Sequence, residues 1–576
     1  MRKEFSPASG LVLNTARLVV ARSDGHSLTV VAPKSLPSRE LQELQSRDRK
    51  GADAQLLLTL CLALILLAGC NVGPKYTTPA APTPPAFKET APAAYREATP
   101  GTWQPAQPQD GELKGKWWEI FNEPELNALE EQLDINNQNI KQYFENFMAA
   151  RAQVGESRAA YFPTLTAAPS FNRTRSGAGG AGTFQQNGGN AMAAGSSTGS
   201  GTGNQVNATG GGSSGNGTFN SIALPFDVAW EPDLWGRVRN TVREYRYAAQ
   251  VSAADLENER LTEQASLAVY YFELRGQDAL QDLYNRTIDA DRKALELTKA
   301  LVETGIDSPE SQAQADVTLQ DAEAQAVGIA TNRAIYEHAI ATLIGKPASE
   351  FEMPVKALAT SPPPIPIGVP SQLLQRRPDI AAAERTMAQA NALIGVEKAA
   401  YYPSLNLTGS GGLESSLISK LFSAPALFWS MGASASELIF DAGLRKSTVA
   451  QYTANYNADV AAYRQAVLTG FQQVEDYLAT LRITSTQVEK QQSAVNAAKR
   501  YLEIAQSRYQ TGLDPYLNVI TEQTTLLSDQ QTEVTLRVSE MTAAVQLIEA
   551  LGGGWDRNQL PAPSQVTSKA AETKNR

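Results

Sequence analysis

Leu67-Ala68-Gly69-Cys70 places one thiol directly behind an apolar run, Leu56 to Leu67. That run is 12 residues long, whereas a bilayer-spanning helix needs about 20. With Arg47, Arg49 and Lys50 before it, the run fits the h-region of a secretory signal. The tetrapeptide matches a bacterial lipobox. The expected chemistry is therefore acylation of Cys70, which becomes the lipid anchor and first residue of the mature chain. Asn71 follows where inner-membrane lipoproteins commonly carry Asp, so the expected destination is the outer membrane. The signal lies far from Met1, and a translation start downstream of Met1 is expected.

Other chemistry is scarce. The chain of 576 residues has two cysteines and two histidines, Cys61, Cys70, His26 and His338. That composition removes most metal sites and most His-based catalytic triads, and no acid/base cluster replaces them. No phosphate-binding glycine pattern is present. The expected protein has no cofactor and is not an enzyme. A net charge of -10 with no basic run argues against a nucleic-acid partner.

The elements come in duplicate. Ala159-Ala160-Tyr161-Phe162-Pro163 returns as Ala399-Ala400-Tyr401-Tyr402-Pro403, and Thr304-Gly305-Ile306-Asp307 as Thr511-Gly512-Leu513-Asp514. The first pair is offset by 240 residues and the second by 207. A fixed internal offset signals a repeated architecture. Between the two motifs the sequence alternates with period two. Ile222, Leu224, Phe226, Val228 and Trp230 form one apolar face, and Leu427, Trp429, Met431, Ala433 and Ala435 form another. Small or polar residues between them suit the lumen side of a membrane barrel. Each half thus offers one β-hairpin, at 163–230 and 403–438. The first hairpin carries a Gly/Ser/Asn-rich loop, 176–217, and the second a shorter loop near Gly411 to Ala424.

Proline-free stretches flank the hairpins. One runs from Glu125 to Phe162 and reads as a single long helical stretch. Another, from Val238 to Glu303, would reach about 100 Å as a helix. After Gly305 and Gly512 the chain returns in second long helices to Gly345 and Gly552. Large apolar residues are sparse in these helices and strict heptads do not persist, which fits a helix wetted on two faces rather than a coiled coil. The expected domains are 1–69, an extension and signal; 70–116, a Pro/Ala-rich tether; 117–346, the first repeat; 347–370, a linker; 371–555, the second repeat; and 556–576, a disordered tail. Four strands cannot close a barrel, and an open edge in lipid leaves backbone groups unsatisfied. Further copies of the chain must complete it, and the helices below would form a conduit.

With Val72-Gly73-Pro74, Trp117-Trp118, Arg376-Arg377-Pro378-Asp379, Arg508-Tyr509-Gln510-Thr511-Gly512 and Ala550-Leu551-Gly552 added, the chain from Cys70 to Trp555 closely resembles the TolC-type outer-membrane factors, OprM/NodT lipoprotein branch. The resemblance implies a mainly α chain with a small membrane β part. It implies a homotrimer sharing a twelve-stranded β-barrel and a twelve-helix periplasmic α-barrel. Its implied partners are outer-membrane lipid, a periplasmic adaptor and an inner-membrane pump of the resistance-nodulation-division type. The implied function is efflux of drugs or other small molecules. An alternative is the duct of a type I protein secretion system. The implied adaptor-docking tips are Thr304, Gly305, Ile306, Asp307, Thr511, Gly512, Leu513 and Asp514. The implied periplasmic gate is Leu517, Asn518, Thr521, Glu522 and Tyr509. Thr521 and Asn518 stand where relatives often place Asp, so a weaker pull on cations is expected. Arg376-Arg377-Pro378-Asp379 reads as a helix start, with Pro preorganised at the first turn and Asp suited to the helix dipole.

Overall fold

The computed structural model describes residues 71–89, 115–175, 218–358, 361–365 and 370–566. The signal, Cys70 and the loop 176–217 lie outside these residues. Trp117–Phe121 forms a 3-10 turn with Trp117, Trp118 and Phe121 buried. Helices α1 (Pro124–Asn136) and α2 (Gln138–Ala159) follow. The expected single helical stretch is therefore broken. Asn137 breaks it because its side chain accepts from the Ile140 amide at 3.0 Å as an N-cap, while its Nδ2 donates to the Leu343 carbonyl at 2.9 Å.

The first hairpin consists of β1 (Thr164–Ala167), β2 (Ser170–Arg175) and β3 (Thr218–Trp230). One expected ascending strand is thus two. Pro169 lies between them and has no N–H to give the ladder. Both pieces pair with β3 in one unbroken register, Thr164 opposite Ala229 and Ser170 opposite Ala223, so they occupy one position in the sheet. Helix α3 (Arg237–Glu303) then runs for 67 residues, and α4 (Pro309–Leu343) returns.

The second half repeats this order: α5 (Pro370–Arg376), α6 (Pro378–Ala399), β4 (Ser404–Ser415), β5 (Leu427–Ser436), α7 (Leu444–Gln510) and α8 (Tyr516–Ala550). The strand β4 continues past Gly411, so the second loop is shorter than expected. All strands are antiparallel, in the order β1/β2, β3, β4, β5. The long helices start alike. The Asp233 carboxylate accepts from the Arg239 amide at 2.9 Å, and Asp441 accepts from the Arg445 amide at 3.2 Å. Both satisfy orphan donors at a helix N-terminus. Arg377 binds the Asp379 carboxylate at 2.7 Å and donates to the Ala550 carbonyl at 3.0 Å, tying the start of α6 to the end of α8.

Two expectations about the ends need correction. Residues 71–89 of the expected tether lie along the helices. The Tyr76 hydroxyl donates to Glu384 at 2.6 Å, and Glu89 pairs with Arg482 at 2.7 Å. The expected disordered tail is ordered through Val566, with a short helix α9 (Pro563–Val566). Val566 is buried with Val154 and Ala249, which supplies apolar burial that a charged, Pro-containing segment did not advertise.

The main core gathers Trp117, Trp118, Leu126, Tyr271, Phe272 and Met541 among others. Beside it the linker is pinned by buried charge. Arg275 and Asp278 meet at 2.8 Å with side chains 2% and 1% exposed. Arg275 also donates to the Pro354 carbonyl at 2.6 Å, and Arg333 bridges Asp278 at 2.8 Å and the Met353 carbonyl at 2.7 Å. Removing Asp278 takes one carboxylate from two cations at once, leaving Arg275 to Glu125 and Arg333 to Glu337, and breaking a buried pair typically costs about 3–5 kcal/mol. Asp278→Ala should therefore lower the thermal unfolding temperature of the purified protein markedly. An unchanged melting curve would contradict this role.

Candidate functional site at the helical tips

Each long helix ends where the chain must reverse. Gly305 and Gly512 take φ of 72° and 71°, left-handed backbone that glycine adopts without a Cβ penalty. The Ile306 amide donates to the Leu301 carbonyl and the Gly305 amide to Val302. The Leu513 and Gly512 amides do the same to Arg508 and Tyr509. Both tips are thus Schellman caps, and this accounts for the Thr-Gly repeat. The turns expose Ile306 and Leu513, 75% and 69% accessible. Between the two tips lies a groove of about 390 Å³ lined by Ile306, Asp307, Tyr509, Asp514 and Leu517.

The two tip aspartates differ in their partners. Asp514 pairs within its own hairpin, with Arg508 at 2.6 Å. Asp307 accepts from the Ser308 amide at 2.7 Å, from the Ser311 hydroxyl at 2.8 Å and, across the hairpins, from the Tyr509 hydroxyl at 2.5 Å. Partial burial opposes its charge, but these donors outweigh it and hold the carboxyl below the usual range. The Tyr509 hydroxyl is pushed up to about 12 by burial and by Asp307.

Two more bonds run between the hairpins above this point. Gln523 of α8 donates to Asp291 of α3, and Gln531 of α8 donates to the Tyr284 hydroxyl of α3. Asp291 is 3% exposed and its second oxygen has no hydrogen-bond partner. Burial raises its carboxyl to about 6, against the opposing donation from Gln523. Tyr284, Ile288, Leu319, Tyr516 and Val519 form the apolar seam around these links.

The residues expected at a gate fall into two groups. Leu517, Asn518 and Thr521 lie on the exposed face of α8, with Leu517 53% accessible. The Thr521 hydroxyl is spent on the Leu517 carbonyl of its own helix at 2.8 Å. Glu522 is half-buried one position further round. Tyr509 is not on that face; it packs against Tyr516 at 5.1 Å and reaches Asp307. Sequence reasoning missed Asp291, Gln523, Tyr284 and Gln531. The only signal was an acid within the otherwise apolar seam positions of α3. Among the described residues there is no group of three or more side chains able to hold a metal ion. The arrangement can hold two hairpins together or let them part, and it contains nothing suited to bond-making chemistry.

A sequence model described as outer membrane efflux protein matches residues 129–346 and 369–553. The chain belongs to that family. It is 30% identical over 502 residues to the probable efflux pump outer membrane protein TtgC of Pseudomonas putida, covering 87% of this chain and 96% of that one. It is 27% identical over 508 residues to the outer membrane protein OprJ of Pseudomonas aeruginosa, covering 86% and 96%. Among solved structures, the outer-membrane channel OprN superposes with a TM-score of 0.72 at 26% identity, covering 84% of this chain and all of that one. The Campylobacter jejuni CmeC channel gives 0.73 at 21% identity, covering 86% and 97%, a likeness of fold. The efflux protein is thus mainly helical with a small sheet, is a component of the outer membrane, and exports rather than catalyses. Among the described residues no helix is long and apolar enough to cross a membrane.

Proposed function

We propose that three copies of this efflux protein form one duct, anchored by lipid on Cys70, through which an inner-membrane pump and a periplasmic adaptor expel small molecules. The observation that carries this reading is the pairing of a sheet too small to close with two 67-residue helices. Each helix is about 100 Å long, enough to carry a conduit well below the membrane. Relatives named for toluene, antibiotic and solvent efflux favour small-molecule cargo over secreted protein. The repeat boundaries proposed are those expected from the sequence. The exposed apolar tips, Thr304 to Asp307 and Thr511 to Asp514, are the proposed adaptor contacts.

The exposed face of α8 carrying Leu517, Asn518 and Thr521 is the proposed lining of the periplasmic constriction, with Glu522 beside it and Tyr509 as its fastening. A threefold ring of Leu517 would narrow the lumen by sterics and dewetting. Leu517→Ala should raise single-channel conductance in planar bilayers and admit antibiotics that the intact channel excludes. Unchanged conductance would remove Leu517 from the gate.

A further inference from the structure

One face of the sheet changes character at a single height. Residues directly opposite in a ladder, and residues two apart in a strand, share a face. The apolar face of β3, Ile222 to Trp230, therefore continues into Leu165 and Phe171 on one side and into Leu413 on the other. Leu413 stands opposite Leu427, which carries the face on to Trp429 and Met431. Most of these side chains are exposed, which suits contact with lipid. From Ile222 to Trp230 the band is nine residues tall, and a membrane-spanning strand needs about 9–11. The inference below rests on the duct reading above, with this face in the outer membrane, and adds the lipid that the face meets.

Phe171 and Ile222 are level, and beyond them the same face turns polar and basic. Arg173 stands opposite Asn220, and Arg175 opposite Thr218. Both arginines are exposed, and among the described residues neither pairs with a carboxylate. Glu414, the acid next in the ladder, is on the other face, where it accepts from the Ser221 hydroxyl at 3.0 Å. This is the end from which the segment 176–217 leaves, and long barrel loops face outside. The loop between β4 and β5 lies at the same end. It holds exposed Lys420 between Ile418 and Phe422, which are 74% and 79% accessible. Buried Leu421 and Ala426 fasten that loop, and the Ser423 hydroxyl donates to the Lys420 carbonyl at 2.6 Å. A cation flanked by apolar side chains suits a membrane interface, where the charge reaches water and the stem stays in apolar surroundings.

We infer that Arg173 and Arg175, with Lys420 at the same end, form a binding site for the phosphate groups of the outer-leaflet glycolipid, lipid A. Two residues along a strand separate the guanidiniums by about 7 Å, within the span of one phosphorylated head group. A guanidinium on the lipid side is costly in hydrocarbon, but just above the apolar band it meets head groups. There it can donate two parallel hydrogen bonds to a phosphate. A zwitterionic phospholipid brings its own ammonium to its phosphate. Cations without an acid on their face suit a head group that brings phosphate alone. Only the outer leaflet is within reach of these residues, because the apolar band lies between them and the helices.

The test titrates lipid A, and lipid A stripped of its phosphates, into the full-length protein held in phosphatidylcholine nanodiscs, with bound lipid read by native mass spectrometry. The parent should bind lipid A about tenfold or more tightly than the phosphate-free form. Arg173→Gln with Arg175→Gln should abolish that preference. Arg173→Lys with Arg175→Lys should keep most of it, since the charge stays at the same height. Arg286→Gln, on α3, should change nothing. Equal binding of the two lipids by the parent, or a preference that survives the glutamine variant, overturns the site. A nitroxide on Phe171→Cys in the same nanodiscs separates that failure from failure of the reading beneath it. It should collide more with oxygen than with a water-soluble nickel chelate. The reverse order would overturn the membrane placement of this face itself.

Discussion

Replacing Tyr509 with Phe should raise the conductance of the reconstituted channel by about tenfold or more. The Tyr509 hydroxyl donates to Asp307 at 2.5 Å and is a direct link between the two hairpin tips. Hydrogen bonds to charged groups contribute about 1.5–3 kcal/mol, and every 1.4 kcal/mol is tenfold in an equilibrium. One lost link per copy therefore shifts closed toward open by about tenfold, and by more if the copies open together. Tyr509→Phe keeps the ring against Tyr516 and removes only the donor, so folding should be unaffected. Asp307→Ala should act in the same direction, with some loss of local order because Ser308 and Ser311 also use that carboxylate. Asp514→Ala is the informative contrast. Its pair with Arg508 lies within one hairpin and in solvent, where such pairs contribute little. Equal conductance of the Tyr509 variant and the parent, with equal trimer yield, would sink the fastening.

Acidification should close the same channel through Asp291. Its carboxyl is raised by burial to about 6 from an ordinary 3.8. With the fastened hairpins of this structure taken as the closed state, a group whose pKa is raised there binds its proton more tightly there than in an open state that exposes it. Closure is then favoured fully below the ordinary value and loses that support as pH rises through about 6. Two units correspond to about 100-fold for a carboxyl fully exposed on opening, and partial exposure in the open state reduces the expected effect to about tenfold. Conductance should therefore rise between pH 5 and pH 7.5. The surrounding charges do not cancel this. Arg292 on the same helix pairs with Glu323 of α4 at 2.7 Å, and on α8 the partners are Gln523 and the neutral Tyr516. The carboxyl of Asp307 is lowered, so it titrates below this window. Asp291→Asn keeps an acceptor for Gln523 and removes the charge. It should flatten the pH response and leave the channel more closed at pH 7.5. A pH response that survives in Asp291→Asn would assign it elsewhere.

Much of this architecture could be read from the chain because its signals are local and doubled. Glycines at 305 and 512 mark reversals that no other residue makes cheaply, and long proline-free stretches leave helix as the default. Period two in Ile222 to Trp230 marks a strand with one apolar face. The break at Asn137 was not legible because it depends on Leu343 and Glu263, distant in sequence, as partners for one amide. Nor was the docking of residues 71–89, since Tyr76 finds Glu384 only after the repeats are packed. At the tips, sequence reasoning placed Asp307, Tyr509 and Leu517 but not the links through Asp291 and Tyr284. Such links depend on which side of a 67-residue helix meets α8, and a weakly amphipathic pattern does not announce that.

The central claim is that several copies of this chain enclose a lumen. Electron-microscopic class averaging of the detergent-purified mature protein tests it most directly. The account predicts threefold particles about 100 Å or more in length, with a narrow pore constricted at the end formed by the tips. A monomer, or a solid rod without a lumen, would contradict it.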